Sequence, residues 1–205
     1  MKKVLILTAS PRIFPKEVHI PRNGYDVVVP GKSSCRQIED IIVDKLKKQE
    51  DVEILHRFNI KFIRCCQACY ACVESENNRC IIDDVMKNIY QYLEQCTDLI
   101  IITPLYYATI PAQLTAFFNR LYPYWISSKD INPKTGFPNN YPKLNVYTFG
   151  TCADPWQDWK LFDDTLNHIY AEIGWNNKGI YHFSGFKCTD DEKNDIVNIS
   201  KMMLK

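Results

Sequence analysis

Residues 64–84 read Arg-Cys-Cys-Gln-Ala-Cys-Tyr-Ala-Cys-Val-Glu-Ser-Glu-Asn-Asn-Arg-Cys-Ile-Ile-Asp-Asp, and five of the chain's nine cysteines fall in this stretch. Cys66, Cys69, Cys72 and Cys80 follow the spacing C-x2-C-x2-C-x7-C. Three thiols at threefold spacing can turn toward one point, and a fourth can close the site after a short loop. Four thiolates around one centre suit a [4Fe–4S] cluster. They also suit structural zinc, although zinc sites more often come as two separated pairs. Disulfides and plain buried thiols complete the alternatives. Cys65 adjoins the run and is expected to point away from Cys66.

Two further stretches carry chemistry. Ser10-Pro11-Arg12 offers a hydroxyl and a guanidinium fork, and Gly31-Lys32-Ser33-Ser34 offers two hydroxyls at the start of a helical pattern. Hydroxyls, a fixed cation and free backbone N–H groups at a helix start are what a phosphate needs. No G-x-G-x-x-G follows the first apolar run, and the glycine that would open a Walker loop is missing upstream of Gly31. Pro104-Leu105-Tyr106-Tyr107 presents a stiff turn with two aromatic faces, suited to a flat ring or to ordinary packing. The four histidines are scattered and fit no constellation, so no catalytic acid or base is assigned.

The elements that must hold these stretches follow from the apolar pattern. Residues 4–7 and 99–102 are continuous apolar runs, as in strands buried on both faces. Residues 52–58, 144–149 and 179–183 read as three more strands. Helical spacing covers the segment opening at Ser33 or Ser34, the segment from Asp83-Asp84, and the segment from Pro111 to Leu121. It also covers residues 156–173, stopped by Gly174, and 190–204. Residues 13–30 are an inserted segment with three Pro and no helical period, in which Val27–Val29 form a short extended piece. Residues 64–82 are a cysteine-rich loop, and 122–142 a long irregular one.

Strand and helix alternate five times, which calls for an α/β parallel sheet with helices on both faces. The flavodoxin-like three-layer order 2-1-3-4-5 is the natural five-strand solution. Its ligand crevice lies beyond the C-terminal strand ends, at the switch between the first and third strands. Ser10–Arg12, residues 103–107 and residues 150–153 should all border that crevice. At 205 residues one domain is expected over 1–205. A formal charge of +1 gives no electrostatic case for nucleic acid or an anionic membrane. The apolar run after Met1 is too short for a signal-peptide core, and nothing approaches a spanning helix, so a cytoplasmic protein is expected. In a reducing compartment the cysteines are ligands or free thiols rather than a disulfide framework.

Taken together, these loops resemble the NADPH-dependent FMN reductase family, and more narrowly its iron–sulfur flavoprotein branch. The resemblance rests on Ser10-Pro11-Arg12, Gly31-Lys-Ser-Ser34, the four-cysteine run followed by Asp83-Asp84, Pro104-Leu-Tyr-Tyr107 continuing into Ile110-Pro-Ala-Gln-Leu114, and Gly150. It implies noncovalent FMN, with its phosphate on Ser10, Arg12, Ser33 and Ser34. The ring would lie against Pro104, Leu105, Tyr106 and Tyr107, with Gly150 and Thr151 closing the pyrimidine side. It also implies a [4Fe–4S] cluster on Cys66, Cys69, Cys72 and Cys80, NAD(P)H as donor, and a small-molecule acceptor or ferredoxin-like redox protein as partner. A homodimer or homotetramer is implied as well. Two features depart from the family: residues 13–30 separate Arg12 from the Ser33 segment, and Ala9 stands where many members have Gly.

Overall fold

The apolar runs at 4–7 and 99–102 become the centre of a five-stranded sheet, because residues apolar at every position can only be covered from both sides. The computed structural model describes residues 1–12, 18–22, 25–29, 32–75, 79–126 and 141–203. The sheet contains β1 (Lys2–Thr8), β4 (Val52–Asn59), β5 (Asp98–Pro104), β6 (Asn145–Cys152) and β7 (Asn176–Ser184). All pairings are parallel and the order is β4-β1-β5-β6-β7. Counting sheet strands alone, this is the expected 2-1-3-4-5. Every residue of β5 is buried.

Helices cover both faces. On one, α1 (Ser34–Leu46) and α7 (Asp190–Met202) place Ile38, Ile42, Leu46 and Ile196 over Val4, Ile6, Ile100 and Ile102. On the other lie α3 (Met86–Leu93), α4 (Ala112–Asn119) and α6 (Lys160–Ile173), with Ile89, Phe117 and Leu166 over Leu5, Leu7, Leu99 and Ile101. Alternate residues of one strand therefore serve opposite cores. β1 feeds α1 on one face and β5 feeds α4 on the other, so the chain leaves the two adjacent strands in opposite directions and opens a crevice at their C-terminal ends.

Several boundaries differ from the sequence expectation. The inserted segment contains more than one extended piece: β2 (Val18–Arg22) and β3 (Tyr25–Val29) form a separate antiparallel pair, Val18 opposite Val29. The sequence Asn23-Gly24 between two β-rich runs is a strong hairpin signal that the absence of helical period concealed. The irregular stretch begins later than expected, because α5 (Tyr122–Ile126) is helical; residues 127–140 lie outside the described residues. Within the cysteine loop, α2 (Ala71–Glu74) is a single helical turn. Pro111 is the residue before α4 rather than its first. α6 begins at Lys160, where the Asp158 carboxylate accepts from the Lys160 backbone N–H at 2.9 Å. Among the described residues no helix is long and apolar enough to cross a membrane.

Candidate active site and cysteine loop

Three loops meet at the crevice. Thr8 ends β1, and the next backbone N–H, of Ala9, donates to the Ile102 carbonyl on β5 at 2.8 Å. This fixes Ser10, which is buried, at the mouth of the crevice. Across from it begins α1. Ser33 is its N-cap, the hydroxyl accepting from the Arg36 backbone N–H at 3.2 Å. A hydroxyl that accepts still carries a hydrogen to donate. Ser34 is the first helical residue, and the first turn of α1 contains no acidic group, so its positive end stays available to an anion. Gly31 lies outside the described residues. Arg12 is half-buried, and its charge reaches both Cys35 in the first turn of α1 and Tyr106 across the crevice.

The second and third loops are laced together. The Leu105 backbone N–H donates to the Thr151 carbonyl at 2.8 Å, and Pro104 stands opposite Thr151 in the β5–β6 register. Thr151 is buried and shares a 3.4 Å hydrogen bond with the Cys35 thiol. A chain of contacts thus runs from Leu105 through Thr151 to the start of α1. Burial pushes the Cys35 thiol up to about 11, against the pull of the Thr151 hydrogen bond and of Arg12, so at neutral pH it is a hydrogen-bonding group and not a thiolate. Cys35 lies outside the four-cysteine run, at the second position of the Ser34–Leu46 helix. No local pattern reveals that it joins two loops.

Residues 106–109 make a tight turn. Tyr106 and Thr109 exchange backbone hydrogen bonds at 3.1 and 3.0 Å, and the two residues between, Tyr107 and Ala108, have φ of 50° and 61°. Consecutive left-handed residues define a turn usually built from Asn and Gly, and each non-glycine held there costs about 1–2 kcal/mol. Backbone strain of this kind concentrates at ligand-contacting loops. Tyr107 is wholly exposed and Tyr106 half-exposed, whereas the Leu105 side chain packs into the core. Leu105 therefore meets the crevice through its backbone and Tyr106 through its ring. Burial, with Cys35 alongside, raises the Tyr106 phenol above its usual range, and Arg12 opposes the shift.

Gly150 has a different neighbour. A Cβ there would lie 2.7 Å from the Trp159 ring and 3.2 Å from Phe162. The missing side chain makes room for Trp159, which stacks on His182 with centroids 4.4 Å apart and donates its indole N–H to Ser184 at 2.8 Å. His182 in turn contacts the Asp163 carboxylate at 2.7 Å. The sequence did not single out this group.

The donor set suits FMN: hydroxyls, a cation and an unopposed helix start for the phosphate, and a strained backbone turn with one ring for the flat part. Ser10, Arg12, Ser33 and Ser34 would hold the first; residues 104–107 and Thr151 would face the second.

The cysteine run is a separate cluster of thiols. Cys66 and Cys69 are exposed, Cys80 is half-buried, and Cys72 is 9% exposed. Burial raises the Cys72 thiol, and Cys80, Cys66 and Cys69 raise it further, so all three lie within electrostatic reach of Cys72. Cys65 is exposed. Ala68 and Tyr70 sit at φ of 50° and 59°, left-handed kinks that re-aim a short loop, and the Ala68 N–H donates to the Cys66 sulfur at 3.4 Å. Among the described residues, however, no three metal-ligating side chains are disposed to hold a metal ion. The donor chemistry fits a four-thiolate group, and the geometry is open. Trp125 stacks on Tyr122, which meets Tyr70 of the cysteine loop edge-on.

A five-stranded parallel sheet in this order, with its binding loops at the switch point, defines a flavodoxin-like protein. The chain belongs to the NADPH-dependent FMN reductase family, whose sequence profile matches residues 2–138. It is 40% identical over 55 residues to an iron-sulfur flavoprotein from Methanosarcina thermophila; the match covers 27% of this chain and 28% of that relative. Among solved structures it resembles an FMN-dependent NADH-azoreductase from Bacillus anthracis in complex with FMN, with a TM-score of 0.61, 13% identity and full coverage of both chains. It also resembles an NAD(P)H:quinone oxidoreductase from Methanothermobacter marburgensis, with a TM-score of 0.59, 16% identity, and 98% and 94% of the two chains covered.

Proposed function

We propose that the protein is an FMN-dependent NAD(P)H oxidoreductase that passes electrons to a small acceptor such as a quinone, or to a redox protein. The observation that carries this reading is the convergence of the three loops: Ser10 and Arg12, the α1 N-terminus, and the Leu105–Thr151–Cys35 chain border one crevice at the switch point. Bound there, FMN would supply hydride acceptance and onward electron delivery. The protein's part is to hold the phosphate at the α1 start, to set the ring through the 104–107 backbone and Thr151, and to leave Tyr106 and Tyr107 at the open side where a second substrate enters. The Cys35 thiol stays protonated and orients Thr151 without entering the chemistry. The finer part of the proposal is that Cys66, Cys69, Cys72 and Cys80 take a [4Fe–4S] cluster, which would add a one-electron relay. The exposure of Cys66 and Cys69 supports electron exit to a protein partner at that surface.

The test is to quantify flavin, iron, acid-labile sulfide and zinc together on protein purified without oxygen, and to follow NADH and NADPH oxidation with a quinone. One FMN with about four iron and four sulfide per chain is expected, with turnover of one nicotinamide. FMN with zinc or no metal would remove the cluster and leave the reductase; absence of FMN after reconstitution would remove both.

A further inference from the structure

Arg120 is an unusual residue for its position. It closes the apolar helix α4 and its side chain is fully buried. One nitrogen of its guanidinium donates to the Asp84 carboxylate at 2.9 Å and to the Arg64 carbonyl at 3.0 Å. The other donates to Asp84 at 3.1 Å and to the Ile82 carbonyl at 3.3 Å. Asp84 completes the knot, accepting from the backbone N–H groups of Arg64 and Met86, both at 2.9 Å. Arg64 stands just before the cysteine run, and Ile82 just after Cys80. One buried guanidinium therefore draws together the two ends of the loop that carries all four thiols.

The far side of the loop is tied in the same sense. The Ser75 hydroxyl contacts the Cys72 carbonyl at 3.2 Å and accepts from the Arg79 N–H at 2.9 Å, linking Cys72 to the residue before Cys80. Arg79 lies over the rings of Tyr90 and Tyr124 and pairs with Glu94. Tyr90 in turn donates to the Arg120 carbonyl. Cys80 packs against the core beside this network, within reach of the Arg120 charge. The Arg120 Nε–H is buried and has no acceptor among the described residues, a costly state unless one arrives.

A buried ion pair is seldom worth more to stability than an apolar pair of the same volume. What this pair supplies is connectivity, since a planar fork alone can serve a carboxylate and two separated carbonyls at once. We propose that Arg120, with Asp84, is the positioning residue of the cysteine site, closing the neck of the loop so that Cys80 is held beside Cys66, Cys69 and Cys72. The inference rests on the reading of those four cysteines as a ligand set.

The test uses Arg120→Lys, which keeps the charge opposite Asp84 but replaces the fork by a single ammonium. Wild-type and variant chains are reconstituted anaerobically with iron(II) and sulfide, and iron is counted per FMN. Backbone amide exchange is followed at Arg64 and Met86. The metal-free chains are titrated with a trivalent arsenical, which bridges only thiols already close together. The variant is expected to keep its FMN and its cooperative unfolding, to bind iron about 10–100-fold more weakly, as supporting residues around metal sites typically require, and to lose amide protection and arsenical capture. Iron loading equal to wild type would overturn the proposal. So would loss of iron together with FMN and cooperative unfolding, because Arg120 would then serve the fold at large. If the wild-type chain itself takes no iron, the cluster reading falls and the arsenical decides: capture by wild type but not by the variant sustains the clamp, and equal capture overturns it.

Discussion

Gly150 shows how the absence of one side chain serves the packing beside a site. Its hydrogen faces the Trp159 ring at a distance no Cβ could occupy, and the ring is held from the far side by His182 and Ser184. Gly150→Ala must push an indole already held by a ring stack and a hydrogen bond. A loss of about 1–3 kcal/mol is expected, as for other overpacked cores. Chemical unfolding of FMN-free protein checks it, and an unchanged midpoint would mean that Trp159 yields freely. The places of Ser10 and Ser33 in the fold were legible because the signals are local: Ser10 follows a buried strand, and Ser33 precedes a helical run. Arg120 was not legible. Its partners Arg64, Ile82 and Asp84 are distant in sequence, and nothing in the stretch from Phe117 to Leu121 marks the arginine as buried. Such a role exists only once the loop has closed.

At the scale of elements, the start of α1 carries two duties, capping itself and facing the crevice. The Ser33 cap bond to the Arg36 N–H is worth about 1 kcal/mol to the helix. In FMN-free protein Ser33→Ala should lower stability by about that amount. With FMN in excess the deficit should grow, because a ligand that binds only the folded chain adds stability that rises with the logarithm of its affinity. Equal deficits with and without FMN would remove Ser33 from the ligand site. The central strands were readable because burial on both faces calls for a continuous apolar run, Leu99–Ile102 in β5. The edge strand β7 was read too short: Asn176, Asn177 and Lys178 are polar and exposed, leaving no hydrophobic signal. The start of α6 was read too early because Trp156 extends the apolar period, yet it lies 90% exposed outside the helix. Apolar periodicity marks where a core requires a residue, and it falls silent or misleads where exposed chain continues an element or precedes one.

Over the whole molecule, burial of neutral thiols and phenols sets the response to alkali. The interior of this chain holds Cys35, pushed up to about 11, and Cys96, pushed up to about 12 by burial and by Asp98. Tyr141 and Tyr147 are pushed up to about 12, chiefly by burial, and Tyr90, Tyr124 and Tyr170 are raised as well. In each case the folded chain keeps its proton after the unfolded chain, with ordinary thiols near 9 and phenols near 10, has lost its own. The stabilising contribution is therefore complete below about pH 9 and is lost as pH rises through 11 to 12. Asp84 works in the opposite sense. Burial would raise its carboxyl, but the hydrogen bonds from Arg120 and from the Arg64 and Met86 N–H groups outweigh that and hold it low, so its contribution is complete above the usual carboxylate range and fails in acid. A stability plateau around neutrality follows, with a fall in Tm of about 5–10 °C between pH 8 and 11. Cys96, remote from the crevice, isolates the cause. Cys96→Ala should lower the Tm at pH 8 by leaving a small cavity, yet give a shallower decline toward pH 11, because one thiol no longer ionises on unfolding. Thermal unfolding of both chains across this range checks the prediction, and parallel declines would mean that the Cys96 thiol makes no contribution to the alkaline limb.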